Sequence, residues 1–224
     1  MITLFYISFI LVLDNTSIYI TKSITKNNIV DENTRWFFIH SIGNLYISLL
    51  TFSDVISCLN DPLNCYKISW TENSYNIFNF SIIMHVYHVL FFKLNSADKM
   101  HHSLMCGICG PLSYLQKNII STCALFFLTG FPGFIDYFLL YLVKINKLDK
   151  NIEKKIYIHL STWIRSPGLC FTTLVVVHAL KSIYYENFLM FMFSLINGFL
   201  IFWNGQYYMM ITCIDYGIKM GKIK

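Results

Sequence analysis

Apolar residues gather into seven stretches of membrane-crossing length, separated by short polar breaks. They fall near residues 2–20, 36–59, 76–94, 102–120, 121–144, 156–180 and 186–214. Each is close to the ~20 residues an α-helix needs to traverse the hydrocarbon of a bilayer. The pattern predicts an all-α, polytopic membrane helix bundle of about seven transmembrane helices. Asp14 and Asn15 shorten the first stretch, while Gly107, Gly110, Pro111, Gln116, Lys117 and Asn118 interrupt the fourth. Ile2 to Leu13 lacks a basic leader and an Ala-x-Ala-like cleavage site, so it reads as a retained span rather than a signal peptide.

The polar breaks predict a direction. With the N-terminus outside or lumenal, Lys22, Lys26, Arg35, Lys93, Lys99, Lys144, Lys147, Lys150, Lys154, Lys155, Lys219, Lys222 and Lys224 fall on the cytoplasmic side. The outer side receives Lys67, Lys117 and Lys181. That asymmetry is what the positive-inside rule asks of seven spans with a cytoplasmic C-terminus. The expected organisation is a first helix and cytoplasmic loop (1–34), a transmembrane bundle (35–216) and a short basic tail (217–224). The lysine-rich segment 145–155 is expected to be a solvated helical connector at an anionic membrane surface.

Composition agrees with the pattern, since 55% of the residues are hydrophobic and 13% charged, against roughly 25% charged in soluble domains. The net charge of +5 comes from basic residues scattered singly between apolar runs, which excludes nucleic acid as a partner. Among the seven cysteines, Cys58 and Cys65 flank an outer loop and are candidates for a disulfide. Cys106-Gly107-Ile108-Cys109 follows a histidine pair closely, a spacing that suits either zinc ligands or close helix packing. No cofactor and no metal is expected.

Polar groups inside spans carry the chemistry, because each ionisable one costs about 2.5–3.5 kcal/mol at the bilayer centre on insertion scales. The most concentrated set is Asp98-Lys99-Met100-His101-His102, at the start of the fourth span. Two imidazoles near a carboxylate can move protons, bind a metal or hold an acidic headgroup. His40, His85, His88 and His159 are expected at a similar level on three other spans, with Asn204 in the same half of the seventh. Asp136 and Arg165 lie equally far from the turn between spans five and six, roughly 12 Å beneath the surface at ~1.5 Å per residue, and are expected to pair. The pair would brace two Pro-Gly-kinked helices, or the arginine would grip a phosphate or carboxylate headgroup.

Thr34-Arg35-Trp36-Phe37-Phe38-Ile39-His40-Ser41, then His85-Val86-Tyr87-His88, then Asp98-x-x-His101-His102 resemble the TLC-domain family, which includes the ceramide synthases. The resemblance covers roughly residues 35–216. It implies about seven helices in an endoplasmic-reticulum-type membrane, a lipid-accessible chamber lined by the histidine pair, and acyl transfer from acyl-CoA to a membrane lipid. His101 and His102, with Asp98, would then be catalytic. His40, His85, His88, His159, Arg165, Asp136 and Asn204 would line the substrate site. An imidazole with an ordinary pKa of about 6.5 suits proton removal from an amine or hydroxyl at neutral pH. The chain departs from the synthases in carrying no acid between Gly107 and Asn118, so a non-catalytic lipid-binding or transporter-type protein stands as the alternative. Seven scattered histidines are too few for a membrane di-iron hydroxylase, and no Asp-Arg-Tyr-like triplet ends the third span as in a seven-span receptor.

Overall fold

A computed structural model of the chain describes residues 2–26 and 30–221, the side chains of Ile2 and Ala97 excepted. Lys222 and Lys224 of the expected basic tail lie outside them. The described residues form helical rods: α1 (Ile2–Thr25), α2 (Glu32–Asn60), α3 (Glu72–Phe91), α4 (96–116), α5 (Ile119–Lys144), α6 (Lys150–Glu186) and α7 (Phe188–Lys219). Of these, α1, α2, α5, α6 and α7 are long and apolar enough to cross a membrane. The chain is therefore an all-α protein with five helices of membrane-crossing type. The other two rods, α3 and α4, carry His85, His88, His101 and His102 along with Asn79, Ser81 and Ser113, and are correspondingly less apolar.

Short polar side chains start the rods by satisfying backbone N–H groups that have no intrahelical partner. Asp31 accepts from the Thr34 N–H at 3.0 Å ahead of α2. Thr71 with Ser74 and Asn95 with Asp98 form reciprocal capping boxes ahead of α3 and α4. Asn118, Asp149 and Asn187 cap α5, α6 and α7.

Successive rods run in opposite directions. One end of the bundle holds the contacts of Arg35 with Asp14, Lys144 with Asp31 (3.5 Å) and Lys154 with Asp215 (2.6 Å). At the other end the Trp70 indole donates to the Asn118 carbonyl at 2.7 Å. We call these the basic end and the Trp70 end. The segment 145–155 is a largely exposed connector that becomes helical at Lys150, with only Ile145 and Glu153 buried in it. The chain turns by Asp149, α6 begins at Lys150, Glu153 is fully buried and Lys154 is drawn onto Asp215 of α7. One face of this helix start, Glu153 and Lys154, packs against the bundle, while Lys147, Lys150 and Lys155 stay exposed.

Three rods share one irregularity. α4, α5 and α6 each contain a wide π-type turn, at Met105–Cys109, Phe126–Gly130 and Ser161–Arg165. Pro111, Pro132 and Pro167 follow these turns at the same offset, two residues beyond the last one. A proline inside a helix lacks the N–H for the carbonyl four residues back and clashes with that carbonyl. Here the residue just before each proline donates five residues back instead: Gly110 to Met105, Phe131 to Phe126 and Ser166 to Ser161. The widened turn opens room for the ring without breaking the rod. Such turns recur at functional sites.

Packing relies on small residues, as expected where lipid is as apolar as the helix faces and hydrophobic burial gives little drive for association. A methyl group at Gly168 would collide with the Phe127 ring, and one at Gly133 would come within 2.7 Å of the Asn44 amide. The larger core cluster surrounds Trp36, Phe78, Phe80 and Met84; a second surrounds Val55, Cys58, Cys65 and Cys123. Cys58 and Cys65 are free thiols buried in that second cluster rather than a disulfide. The adjacent Cys58 thiol and burial both push the Cys65 thiol above its ordinary pKa, which keeps it protonated and unreactive.

Candidate functional site

Three rods deliver five imidazoles to one place. His85 and His88 lie three residues apart on α3 and so share a face. His101 and His102 sit in the last turn of the first helical segment of α4, and His40 comes from α2. His40, His85, His88 and His102 are each at most 6% exposed. In a bilayer-sized bundle, so much buried polar surface has to be satisfied internally or face a cavity.

Both occur. The His85 Nδ1–H donates to the Ser81 carbonyl, one turn back, at 2.7 Å. In the neutral ring this leaves Nε2 of His85 as an acceptor, so the proton between it and Nε2 of His101, 3.2 Å away, belongs to His101. Nδ1 of a neutral His101 is then bare. His102 Nε2 meets His88 Nδ1 at 2.8 Å, and Nδ1 of His102 is buried with no hydrogen-bond partner, as is Nδ1 of His40. Aromatic rings hold the set in place: Trp36 stacks on His88 with ring centres 3.5 Å apart and meets the edge of His40 at 3.6 Å, while Tyr137 lies 4.4 Å from His40 on the other side.

These imidazoles line a chamber of about 180 Å³, which also receives Asp98, Asp136, Tyr137, Tyr157, Arg165 and Tyr208. Two further spaces adjoin it. A vestibule of about 570 Å³ at the basic end, walled by Glu32, Asn33, Lys93 and Asn95, shares His88, Asp98 and Tyr137 with the chamber. A smaller cavity of about 70 Å³ between α4, α5 and α7, walled by Leu104, Met105, Leu125, Leu200, Ile201 and Trp203, shares His85, His101 and Arg165 with it. Polar vestibule, histidine chamber and apolar cavity thus follow one another, and residues in or next to the three wide turns, Met105, Leu128, Thr129 and Arg165, line the last two.

The expected pair of Asp136 with Arg165 does not form. Both line the chamber, yet no ion pair of 4.0 Å or less joins them among the described residues. Arg165 donates instead to the Tyr157 hydroxyl and to Asn204 Oδ1, each at 3.3 Å, and lies 5.0 Å from the centre of the Tyr208 ring. Its Nε is buried without a partner. Equal depth brings the two residues to one level, but depth does not give direction around the helix. Arg165 closes the wide turn of α6, and one extra residue in a turn rotates the rest of the helix by roughly 100°, here toward Asn204 on α7.

His159 is also absent from the chamber. It is exposed, whereas Tyr157, two residues earlier and therefore ~200° around the helix, faces inward. Of the other expected residues, His40, His85, His88, Asp98, His101, His102, Asp136, Arg165 and Asn204 all come to the chamber or its apolar extension. Asp98 serves the backbone too, because its carboxylate accepts from the Asn95 N–H at 3.3 Å. Trp36, Tyr137, Tyr157 and Tyr208 join the site without being expected there. Three of them lie beside or four residues from an expected one: Trp36 from His40, Tyr137 from Asp136 and Tyr208 from Asn204. Helical spacing around the expected residues is the signal that would have found those three.

Among the described residues, no group of three or more His, Cys, Asp or Glu is arranged to hold a metal ion. The imidazole nitrogens that are bonded pair with each other and with the Ser81 carbonyl. Cys109 contributes to the wall of the apolar cavity. Compared with protein-family models, with curated proteins and with solved structures, the chain matches none.

Proposed function

We propose that this chain crosses an endoplasmic-reticulum-type membrane seven times, with a lumenal N-terminus and a cytoplasmic C-terminus, and acts on membrane lipid in the manner of the TLC-domain family it resembles. One observation carries the reading: a histidine chamber lies between a polar vestibule at the lysine-rich end and an apolar cavity in the bundle. That order suits an amphiphile whose polar part meets the imidazoles while its chain stays out of water. A water-soluble acyl donor such as acyl-CoA would reach the chamber through the vestibule. The bare Nδ1 of His101 would take a proton from the acceptor's amine or hydroxyl as its nitrogen or oxygen bonds to the acyl carbon beside His102; the thioester C–S bond breaks, and the proton passes to the departing CoA thiolate. The added α3 and α4 crossings follow from rods long enough to span once their polar faces turn to the chamber.

A second reading, a lipid-binding protein without catalysis, draws support from the imidazoles being hydrogen-bonded to one another with, among the described residues, no carboxylate on their nitrogens. Catalytic imidazoles are usually oriented by an acid. Replacing His101 and His102 by Ala and comparing the lipids of membranes that make either protein separates the two. Acyl transfer predicts loss of one product class at unchanged expression. An unchanged lipid spectrum would discard it in favour of binding.

A further inference from the structure

Arg165 and Asp136 share the chamber with the histidines and Asp98, and no ion pair of 4.0 Å or less joins the two among the described residues. The guanidinium is held by neutral acceptors, Tyr157 and Asn204, and keeps a buried Nε free. The Asp136 carboxylate lines the same space and, among the described residues, accepts no hydrogen bond. Charges removed from bulk water are ordinarily paired or bound to something. Here one of each sign is turned to a common cavity, with more than 4 Å between them.

We propose that the ligand of this chamber is an amphiphile with a dipolar headgroup, its anionic phosphate on Arg165, its ammonium beside Asp136, and its chain in the apolar cavity between α4, α5 and α7. The assignment rests on the lipid-handling reading and narrows it to a headgroup class. Arg165 belongs to the walls of both the chamber and the apolar cavity, so it stands where the headgroup of such a molecule ends and its chain begins. A planar guanidinium with an unused Nε suits a phosphate oxygen. Tyr137, next to Asp136 in the chain, also lines the chamber and adds aromatic surface of the kind that ammonium groups bind. Charge balance favours a dipole over either single charge. A purely anionic head would face Asp136 and Asp98, and a purely cationic one would face Arg165. A zwitterion gives Arg165 and Asp136 a partner each, while the Asp98 carboxylate is already held by the Asn95 N–H.

The test uses the full chain purified in a nonionic maltoside, with binding read by native mass spectrometry against probes of one chain length. These are a lysophosphatidylethanolamine, a lysophosphatidic acid, a long-chain alkylamine and a monoacylglycerol, together with free phosphoethanolamine. The lysophosphatidylethanolamine should bind tighter than each singly charged or neutral probe by about tenfold or more, the scale of one charge-assisted hydrogen bond. Asp136→Asn should remove that preference over lysophosphatidic acid, while Arg165→Gln should weaken both phosphates and spare the alkylamine. If either variant fails to fold, the ranking of probes on the unaltered protein decides alone. Binding of free phosphoethanolamine as tight as that of the lysolipid would overturn the amphiphile, because the chain would then contribute nothing; weak binding supports a bilayer source. Lysophosphatidic acid or monoacylglycerol binding as well as the zwitterion would overturn the dipolar assignment and leave lipid handling intact. If none of the lipid probes binds, both fall.

Discussion

Arg35 of α2 closes a two-pronged ion pair on Asp14 of α1, and the same carboxylate accepts the Tyr87 hydroxyl of α3 at 2.8 Å. Three helices are tied at one carboxylate that is almost out of solvent, with its side chain 8% exposed against 26% for the arginine. Removing one partner of such a pair leaves the other charge desolvated and unanswered, which costs more than the pair itself contributes. Asp14→Asn should therefore destabilise the bundle by on the order of 3 kcal/mol, and Tyr87→Phe by about 1 kcal/mol. Thermal unfolding in detergent, followed by tryptophan fluorescence, measures both. Equal and negligible shifts would mean that the clamp does not hold the three helices.

Gly168 should be the least replaceable small residue. An added methyl group would overlap a ring carbon of Phe127, near the base of that side chain rather than at a flexible tip. Overpacking of this kind costs about 1–3 kcal/mol. Gly168→Ala should lower the melting temperature, and Phe127→Leu in the same chain should recover part of the loss. Gly107→Ala meets nothing within 4 Å and should hold or raise the melting temperature, since alanine favours a helix over glycine. Similar melting temperatures for the two alanine variants would count against the close crossing of α5 and α6.

The histidines divide into those the fold depends on and those it does not. His88 is buried, stacked on Trp36 and bonded to His102. His88→Ala removes the stack and strands a second imidazole nitrogen, so a loss of about 2–3 kcal/mol is expected. His159 is exposed and bonded to nothing among the described residues, so His159→Ala should be silent in both stability and lipid content. Should His159→Ala alter lipid content while His88→Ala does not, the chamber has been assigned to the wrong face of the bundle.

That contrast shows which features are legible in the chain itself. The long apolar runs mark the rods well, because length and hydropathy do not depend on how helices face each other. Depth is legible too, which is why His40, His88 and His102 are expected at one level. Facing is not. Arg165 and His159 lie on a helix whose wide turn at Ser161–Arg165 shifts the register of its faces, and no apolar pattern announces a wide turn, although the three similarly placed prolines are a signal of it. Arg35 counts as a loop charge in the sequence because its partner, Asp14, lies in another span and looks like an interruption.

Asp31 predicts a pH dependence at the basic end. Partial burial alone would raise its carboxyl, but the Thr34 N–H, the Lys144 ammonium and the Thr34 hydroxyl hold it below the ordinary value. A carboxyl depressed in the folded state binds its proton more weakly there than in the unfolded chain. Its stabilising contribution is thus present in full above an unfolded pKa of about 3.9 and is lost as pH falls through the lower, folded value. The Lys144 contact is half-exposed and screened, so most of the effect comes from the cap. Asp31→Ala should cost about 1 kcal/mol at neutral pH and flatten the acid limb of a melting-temperature profile. An acid limb unchanged by Asp31→Ala would place the dependence elsewhere.

The apolar cavity offers a test of chain binding that does not depend on knowing the headgroup. Leu200 on α7 lines that cavity together with Leu104 and Met105 of α4. Below the histidines, α4 and α7 touch through Ser113 and Asn197, which bond at 3.2 Å and close the cavity toward the Trp70 end. A larger side chain at Leu200 therefore takes space from the apolar part of that cavity. Leu200→Trp should shift the lipids that copurify with the protein toward shorter chains and leave their headgroup class unchanged, as read by mass spectrometry of extracts from the purified material. Ser113→Ala breaks the contact with Asn197 but adds no bulk, and should leave chain length alone while lowering stability by about 1–2 kcal/mol. Were Leu200→Trp to change the headgroup class instead, headgroup and chain would lie the other way round in the bundle, and the polar end of the ligand would sit between α4 and α7.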